Sequence, residues 1–131
     1  MLINEIMTHG VGIDMIAVER VASGISKESG FREMVFSEAE IAYCESKKNK
    51  FEHYAARFAA KEAFFKALGT GWAGNTLFNE VGIVHNADGK PEIQLSGETQ
   101  STINAMGITK ILVSLSHIKA MASAVVILEK Q

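Results

Sequence analysis

The stretch RFAAKEAFFKALGTG, residues 57–71, combines a strong helical pattern with a carboxylate in the middle of it. At about 100° per residue, the larger apolar residues of this region share one helix face, namely Phe51, Tyr54, Ala55, Phe58 and Phe65. Glu62 falls near the centre of the same arc. The glycines at 69 and 71 can adopt the left-handed conformation that ends a helix. The sequence therefore predicts a helix over residues 51–68 that turns a carboxylate inward.

An inward carboxylate needs a compensating partner. Burying an ionised carboxylate alone costs several kcal/mol, far more than the few tenths that a good helix former contributes. Three ordinary explanations compete: the Glu62 head group reaches water at the core rim, it pairs with Lys66 one turn later, or it joins a structural ion pair. A bound cation is the functional explanation.

A second acid, Asp14, lies in GVGIDMI, residues 10–16, where apolar and small or polar residues alternate as in a short strand. Asp14 then points off the apolar face of Val11 and Ile13. Such an aspartate is commonly a turn or cap residue, but the small Gly12 beside it lets another group approach the backbone. Two carboxylates from separate elements suit Mg²⁺, which takes only one or two protein carboxylates and completes its shell with water and phosphate oxygens.

Four basic side chains could complement a metal-bound anion such as pyrophosphate: Arg57, Lys61, Lys66 and His117. Each is also at home on a solvated surface, because helical lysines are mostly hydrated and His117, in SLSHIK, fits an ordinary turn. Only the combination with the two acids indicates a binding site.

Composition bounds the setting. A chain of 131 residues, with 47% apolar and 21% charged residues, predicts one soluble globular domain over residues 1–131. No apolar run approaches the roughly 20 residues of a membrane span, and residues 1–10 do not resemble a secretory signal. The lone Cys44 fits a reducing cytoplasm. The net charge of −2 favours neither nucleic acid nor an anionic membrane as a partner.

Periodicity and turn residues organise the rest of the chain. We expect helices at 17–25, 37–46, 51–68 and 97–106, a helical turn or loop at 31–36, and strands at 10–16, 78–85, 91–95, 110–116 and 121–129. Ser37 and Glu40 have the spacing of a capping box, and NADGK, residues 86–90, indicates a hairpin turn. The last two strands should pair antiparallel. The predicted fold class is α+β, a mostly antiparallel sheet with helices packed on one side.

Three segments in this order resemble the holo-acyl-carrier-protein synthases, the small trimeric type of 4′-phosphopantetheinyl transferase. They are VGIDMIAVERV (residues 11–21), ARFAAKEAFFKALGTG (56–71) and VSLSHIKAMASAVVI (113–127), with DGKP (88–91) between the last two. GID alone is weak evidence, whereas FAAKEAFFKALGTG with SLSH at this distance is highly specific. The resemblance implies a cytoplasmic enzyme of fatty acid biosynthesis that transfers 4′-phosphopantetheine from coenzyme A to a serine of apo acyl carrier protein, releasing adenosine 3′,5′-bisphosphate.

The resemblance also implies roles for individual residues. Asp14 and Glu62 would hold Mg²⁺ on the coenzyme A pyrophosphate, with Lys66 and His117 beside the phosphates as further catalytic residues. Arg57 and Lys61 would lie near the nucleotide. The turn containing Asp88, Gly89 and Pro91 would line the adenosine. The proton acceptor for the serine stays open between a metal-activated water and Glu62 itself.

The family's homotrimeric assembly, with sites between subunits, is a further implication. So is a basic surface on the first helix and the following loop that docks the acidic carrier protein. Here Arg20, Lys27 and Arg32 remain, but Gly30 and Met34 stand where basic residues are common. The expected docking surface is therefore diluted.

Three other functions remain open from the residues. A non-catalytic coenzyme A or nucleotide-binding module would have no need for the acid pair. A metal-dependent phosphohydrolase could use the same carboxylates on water alone. A purely structural domain would require the two acids to belong to buried ion pairs.

Overall fold

The computed structural model describes residues 5–69 and 77–131. The first part contains β1 (Met7–Ala17), α1 (Val18–Ser26), α2 (Phe31–Val35), α3 (Glu38–Glu45) and α4 (Lys50–Leu68). The second begins with a short 3-10 helix (Phe78–Glu80), followed by β2 (Val81–His85), β3 (Pro91–Leu95), α5 (Gly97–Ala105), β4 (Ile108–His117) and β5 (Met121–Lys130). These elements confirm the predicted α+β class.

The strands within residues 5–69 and 77–131 form two antiparallel sheets, where a single sheet was expected. β5 lies between β1 and β4 in a three-stranded sheet, and β2 pairs with β3 as a separate hairpin. The predicted antiparallel pairing of the last two strands is confirmed. The strand expected from residue 78 starts later, because residues 78–80 form the 3-10 helix that buries Phe78.

Local signals placed the helix ends correctly. Ser37 and Glu40 form the predicted capping box, each side chain bonding the other's backbone N–H, and α3 begins directly after Ser37. Gly69 ends α4 with a φ of 81°, the left-handed conformation expected there. The second glycine of the predicted stop, Gly71, lies outside the described residues.

The helix α4 packs directly on the backbone of β1. A Cβ added to Gly10 would collide with the carbonyl oxygen of Ala67, and one added to Gly12 would collide with that of Ala63. The group that approaches the backbone at Gly12 is therefore this helix. The contact buries the core alanines of α4 completely, including Ala59 and Ala63.

This contact determines which face of β1 is covered. The two glycines and Asp14 face α4, because their cross-strand partners on β5 are all buried in the core: Leu128, Val126 and Ala124. The apolar alternates Val11, Ile13 and Met15 are 59%, 67% and 66% exposed on the opposite face. Asp14 therefore lies off the apolar face of Val11 and Ile13, as expected, and the small residues beside it allow α4 to cover its side of the strand.

The longest helix of the described residues is α4, with 19 residues. It carries charged side chains along its length, from Lys50 to Lys66. None of the described helices combines the length and apolarity that crossing a bilayer requires.

We predict that Gly12→Ala destabilises the protein by about 1 to 3 kcal/mol, because the new methyl must push α4 away from β1. Denaturant unfolding at fixed protein concentration measures the change. Gly24→Ala is the matched control, since its Cβ would meet only the side-chain ring of Phe31, at 3.2 Å or more. Equal stability of the two variants would contradict the close contact.

Candidate active site

The structure brings Asp14 of β1 and Glu62 of α4 together on the helix-facing side of the three-stranded sheet. Lys66, one turn beyond Glu62, donates hydrogen bonds of 3.0 Å to both Asp14 Oδ1 and the carbonyl oxygen of Ile13. The Asp14 side chain is only 16% exposed, whereas that of Lys66 is 54% exposed. Asp14 is thus largely buried, and its ion-pair partner is an exposed lysine.

The Glu62 carboxylate lies at the edge of the core and is half-buried. Burial raises its pKa, the negative charge of Asp14 raises it further, and Lys66 only partly offsets both. Among the described residues, no group forms a hydrogen bond with the carboxylate oxygens of Glu62. Of the three ordinary explanations for Glu62, a head group at the rim of the core describes the geometry best. A pair with Lys66 is not formed, because Lys66 bonds to Asp14.

Two adjacent carboxylates that share one exposed lysine fit a small divalent cation. The negative charge of Asp14 raises the cost of ionising Glu62, and a doubly charged ion would remove that repulsion. The described residues contain no group of three or more His, Cys, Asp or Glu side chains placed to hold a metal. A pair of carboxylates is nevertheless enough for Mg²⁺ when a substrate supplies phosphate oxygens.

A cavity of about 230 Å³ lies beside the first half of α4. It brings together four of the residues assigned to coenzyme A by resemblance: Arg57, Gly89, Pro91 and His117. His53, Ala56, His85 and Leu115 complete the lining. Asp88 is not among the lining residues; it is exposed in the turn, where its N–H donates to Asn86 Oδ1 at 2.9 Å.

Arg57 is only 2% exposed, at the wall of this cavity. Its guanidinium stacks on the Tyr43 ring at 4.2 Å, and its Nη2 is 3.4 Å from His85 Nδ1. The buried Nε has no hydrogen-bond partner, and among the described residues no carboxylate forms an ion pair with Arg57. A buried, unpaired charge is costly by several kcal/mol. The arrangement therefore favours an anion in the cavity.

His117 ends β4 at the opposite wall. Its Nδ1 is 2.8 Å from Glu52 Oε1, an interaction that lowers the pKa of Glu52. The ring also meets that of His53 edge-on, with centroids 5.3 Å apart. The Glu52 carboxylate therefore holds the imidazole ring of His117 in one orientation.

Lys61 requires a correction. Its side chain is completely buried, and its ammonium donates to Glu40 Oε1 at 2.7 Å, to the Phe78 carbonyl at 3.0 Å and to the Val81 carbonyl at 2.6 Å. An ammonium has three N–H donors, so none remains for a nucleotide. Lys61 anchors the start of β2 to α4, and we remove it from the candidate site.

Sequence reasoning missed the partner of this lysine. Glu40 was recognised only as a helix cap, yet it also accepts a hydrogen bond from the N–H of Ile83 at 3.0 Å. Tyr43, His53 and His85 were missed as well. No local pattern marks them, because the chain brings them together only when α3, α4 and β2 pack.

The acid pair and the cavity lie on the same side of the sheet. Asp14 pairs with Ala124 of β5, which pairs with Leu115 of β4, a residue of the cavity wall. Two strand spacings separate Asp14 from Leu115 by about 10 Å. Along α4, Arg57 precedes Glu62 by about 7.5 Å.

The expected docking residues differ in availability. Arg20 and Lys27 are exposed, and their spacing puts them on one face of α1 and its end. Arg32 is already engaged, at 2.8 Å from Glu33 and 3.3 Å from Glu45. Nearby, Gly30 is exposed and Met34 is 70% exposed.

Comparison with known proteins identifies the family. Residues 10–113 match the family model of the 4′-phosphopantetheinyl transferase superfamily. A holo-[acyl-carrier-protein] synthase of Cytophaga hutchinsonii is 44% identical over 126 residues, covering 95% of this chain and 99% of that protein.

Solved structures agree with this match. The holo-[acyl-carrier-protein] synthase of Neisseria meningitidis superposes with a TM-score of 0.88 at 32% identity, covering 95% of this chain and 100% of that one. The enzyme of Bacillus anthracis, solved in complex with CoA (3′,5′-ADP), gives 0.79 at 33% identity, covering 95% and 99%. The chain therefore belongs to the 4′-phosphopantetheinyl transferase superfamily, and it is an enzyme of the holo-[acyl-carrier-protein] synthase kind.

Proposed function

We propose that this enzyme transfers 4′-phosphopantetheine from coenzyme A to a serine of apo acyl carrier protein in a Mg²⁺-dependent reaction that releases adenosine 3′,5′-bisphosphate. The observation that carries the proposal is the acid pair, Asp14 and Glu62, placed beside a cavity with the unpaired Arg57. The first can hold a divalent cation, and the second calls for an anion. Coenzyme A carries the anionic groups that such a site requires.

The proposed roles follow from the positions of the side chains. Asp14 and Glu62 would hold Mg²⁺, which when bound would neutralise charge on the pyrophosphate. Lys66 is exposed enough to leave Asp14 and contact a phosphate. Arg57 and His117 would bind anionic groups from two walls of the cavity, while Gly89 and Pro91 would bound the adenosine and Asp88 would remain at the turn.

In the reaction, the serine oxygen of the carrier protein forms a bond to the phosphorus that bears the pantetheine arm. The pyrophosphate P–O bond breaks, and adenosine 3′,5′-bisphosphate leaves with the bonding electrons. The serine proton must go to a base, which is either a metal-activated water or the Glu62 carboxylate, whose oxygens form no hydrogen bond within the described residues. Lys66 and His117 stabilise the negative charge on the phosphoryl oxygens.

The exposed side of the sheet supports a homotrimer with sites shared between subunits. An apolar surface is formed on β1 by Val11, Ile13 and Met15. It continues onto β5, where Ile127 pairs with Val11 and Val125 pairs with Ile13. Large exposed apolar patches mark interfaces. We propose that this face joins copies of residues 1–131, each acting as one transferase domain of cytoplasmic fatty acid biosynthesis.

For carrier docking we propose the surface of Arg20 and Lys27, with Arg32 contributing less because Glu33 and Glu45 neutralise it. We predict that Arg20→Glu raises the KM for the apo carrier protein about tenfold, with little change in kcat, and that added salt narrows the difference. Steady-state kinetics at low and high salt measure both effects. Lys110→Glu, an exposed charge reversal on β4, is the control. An unchanged KM for Arg20→Glu would place docking elsewhere.

Intact mass spectrometry tests the proposed function. The purified enzyme is incubated with Mg²⁺, coenzyme A and apo acyl carrier protein, and the carrier should gain one phosphopantetheine group. Coenzyme A binding without a mass gain would indicate a binding module. Cleavage of the pyrophosphate in the absence of any carrier would indicate a phosphohydrolase. Transfer that persists after chelation of divalent cations would overturn the metal role.

A further inference from the structure

Arg57 is a buried cation whose counter-ion is not supplied by the surrounding residues that the structure describes. Of the nearby acids, Glu52 is bonded to His117 at 2.8 Å and Asp88 is exposed in its turn. Within the described part of the chain, the buried Arg57 Nε has no acceptor. Under the proposed function, an anionic group of coenzyme A fills this role.

Two histidines without an assigned role line the same cavity, His85 from β2 and His53 from α4. A guanidinium can only donate, so the 3.4 Å contact with Arg57 Nη2 makes His85 Nδ1 an acceptor and the ring neutral. At this distance the hydrogen bond is weak. His53 Nε2 is 3.1 Å from Asn49 Oδ1, so this nitrogen carries the proton and Nδ1 can accept one.

The surroundings of both rings disfavour a second proton in the free enzyme. For His53, burial lowers the pKa most, followed by His117, Arg57 and Lys47, with Glu52 opposing them. For His85, burial again comes first, followed by Arg57 and Lys47. The Tyr43 ring, which stacks on His85 and meets His53 edge-on, adds no charge. An anion would reverse this balance.

We propose that His53 and His85 each bind a proton when an anionic group of coenzyme A binds beside Arg57, so that this cavity recognises the anion together with protons. Protonated His85 can no longer accept from Arg57, which frees Nη2 to donate to the anion. Both imidazolium rings then contribute N–H donors to the same group. The anion is thus bound by Arg57, which is always charged, and by His53 and His85, which are charged only after taking up a proton.

The sign of the pH dependence follows from linkage. An adjacent anion raises a histidine pKa by about 1 to 3, from a free-enzyme value that lies below the ordinary 6.5. Affinity should therefore increase as pH falls through the interval between the bound and free values. Below the free value both states are protonated, so the gain ends there.

Isothermal titration calorimetry of the full-length enzyme with coenzyme A measures proton uptake when it is repeated near pH 6.5 in two buffers of different ionisation enthalpy. Wild type should take up about half a proton or more per site beyond the uptake of the His53→Gln/His85→Gln variant. The phosphate groups of the ligand titrate equally in both experiments and cancel in the comparison. His9→Gln, the histidine on β1 outside the cavity, should match wild type.

Equal proton uptake by wild type and the double variant would overturn the proposal. If the double variant does not fold, the imidazole proton resonances of wild type provide the test, since two histidine pKa values must rise when coenzyme A is added. Transfer activity with unchanged proton uptake would reject this inference while leaving the proposed function standing. Absence of coenzyme A binding would reject both.

Discussion

Glu62→Gln should lower the rate of phosphopantetheine transfer about 100-fold or more while leaving the enzyme folded. The substitution keeps the size and shape of the side chain but removes one of the two charges proposed to hold Mg²⁺. The loss should be greatest at low Mg²⁺ concentration, because a weakened site needs more metal to fill. Transfer rates measured across a Mg²⁺ titration test this expectation.

Stability provides an internal control for that variant. Burial and Asp14 raise the pKa of Glu62, so its ionised form is less favourable in the folded than in the unfolded protein. That cost applies at pH values above the folded pKa and fades as pH falls towards 4.5, the ordinary value. Removing the charge should therefore leave the melting temperature at pH 7 unchanged or higher.

Glu98→Gln is the matched control, because this carboxylate is exposed on α5, away from both site clusters. It should transfer at the wild-type rate. A Glu62→Gln enzyme with near wild-type, Mg²⁺-dependent activity would show that the metal is not held by this acid. A variant that loses activity and melting temperature together would point to a structural role instead.

Lys61→Met should destabilise the protein by about 3 to 5 kcal/mol. The change leaves Glu40 buried without its cation and leaves the carbonyls of Phe78 and Val81 without their donor. The free energy of unfolding, measured in denaturant at fixed protein concentration, gives the size of the loss.

Lys50→Met on the same helix is the control. Lys50 also pairs with a glutamate, Glu45 at 3.2 Å, but its side chain is 38% exposed. Exposed pairs contribute about 0 to 1 kcal/mol. If the two methionine variants lost equal stability, the buried network would be no stronger than a surface pair. Combining Lys61→Met with Glu40→Gln should cost less than the sum of the single changes, because the orphaned charge is gone.

The sequence predicted best what depends on neighbours in the chain. The capping box at Ser37 and the glycine stop at residue 69 are local events, and both were confirmed. Alternation correctly placed Asp14 and the apolar residues of β1 on opposite faces, but it does not show which face a helix will cover. The apolar residues of β1 are exposed in the single chain.

The same limit applies to charge. Helical periodicity placed Glu62 inward, but the charged side chain of α4 that is completely buried is its neighbour Lys61. The partners of Lys61 are Glu40 and two carbonyls, which come from elements distant in sequence. The cavity shows the opposite case: Arg57 and His117 were identified by motif, while His53 and His85 became visible only in three dimensions. Pairwise chemistry between distant segments is what a linear pattern does not contain.

The close contact of α4 with the glycines of β1 determines the distance between Asp14 and Glu62. Asp14 lies on β1 and Glu62 on α4, and the backbones of these two elements are in contact at Gly12. The distance between the two carboxylates therefore depends on the position of the backbone more than on side-chain packing. Calcium–oxygen distances exceed magnesium–oxygen distances by about 0.3 to 0.5 Å. If the acid pair holds Mg²⁺ as proposed, a change of specificity to the larger ion would require moving α4 away from β1 before any ligand is exchanged.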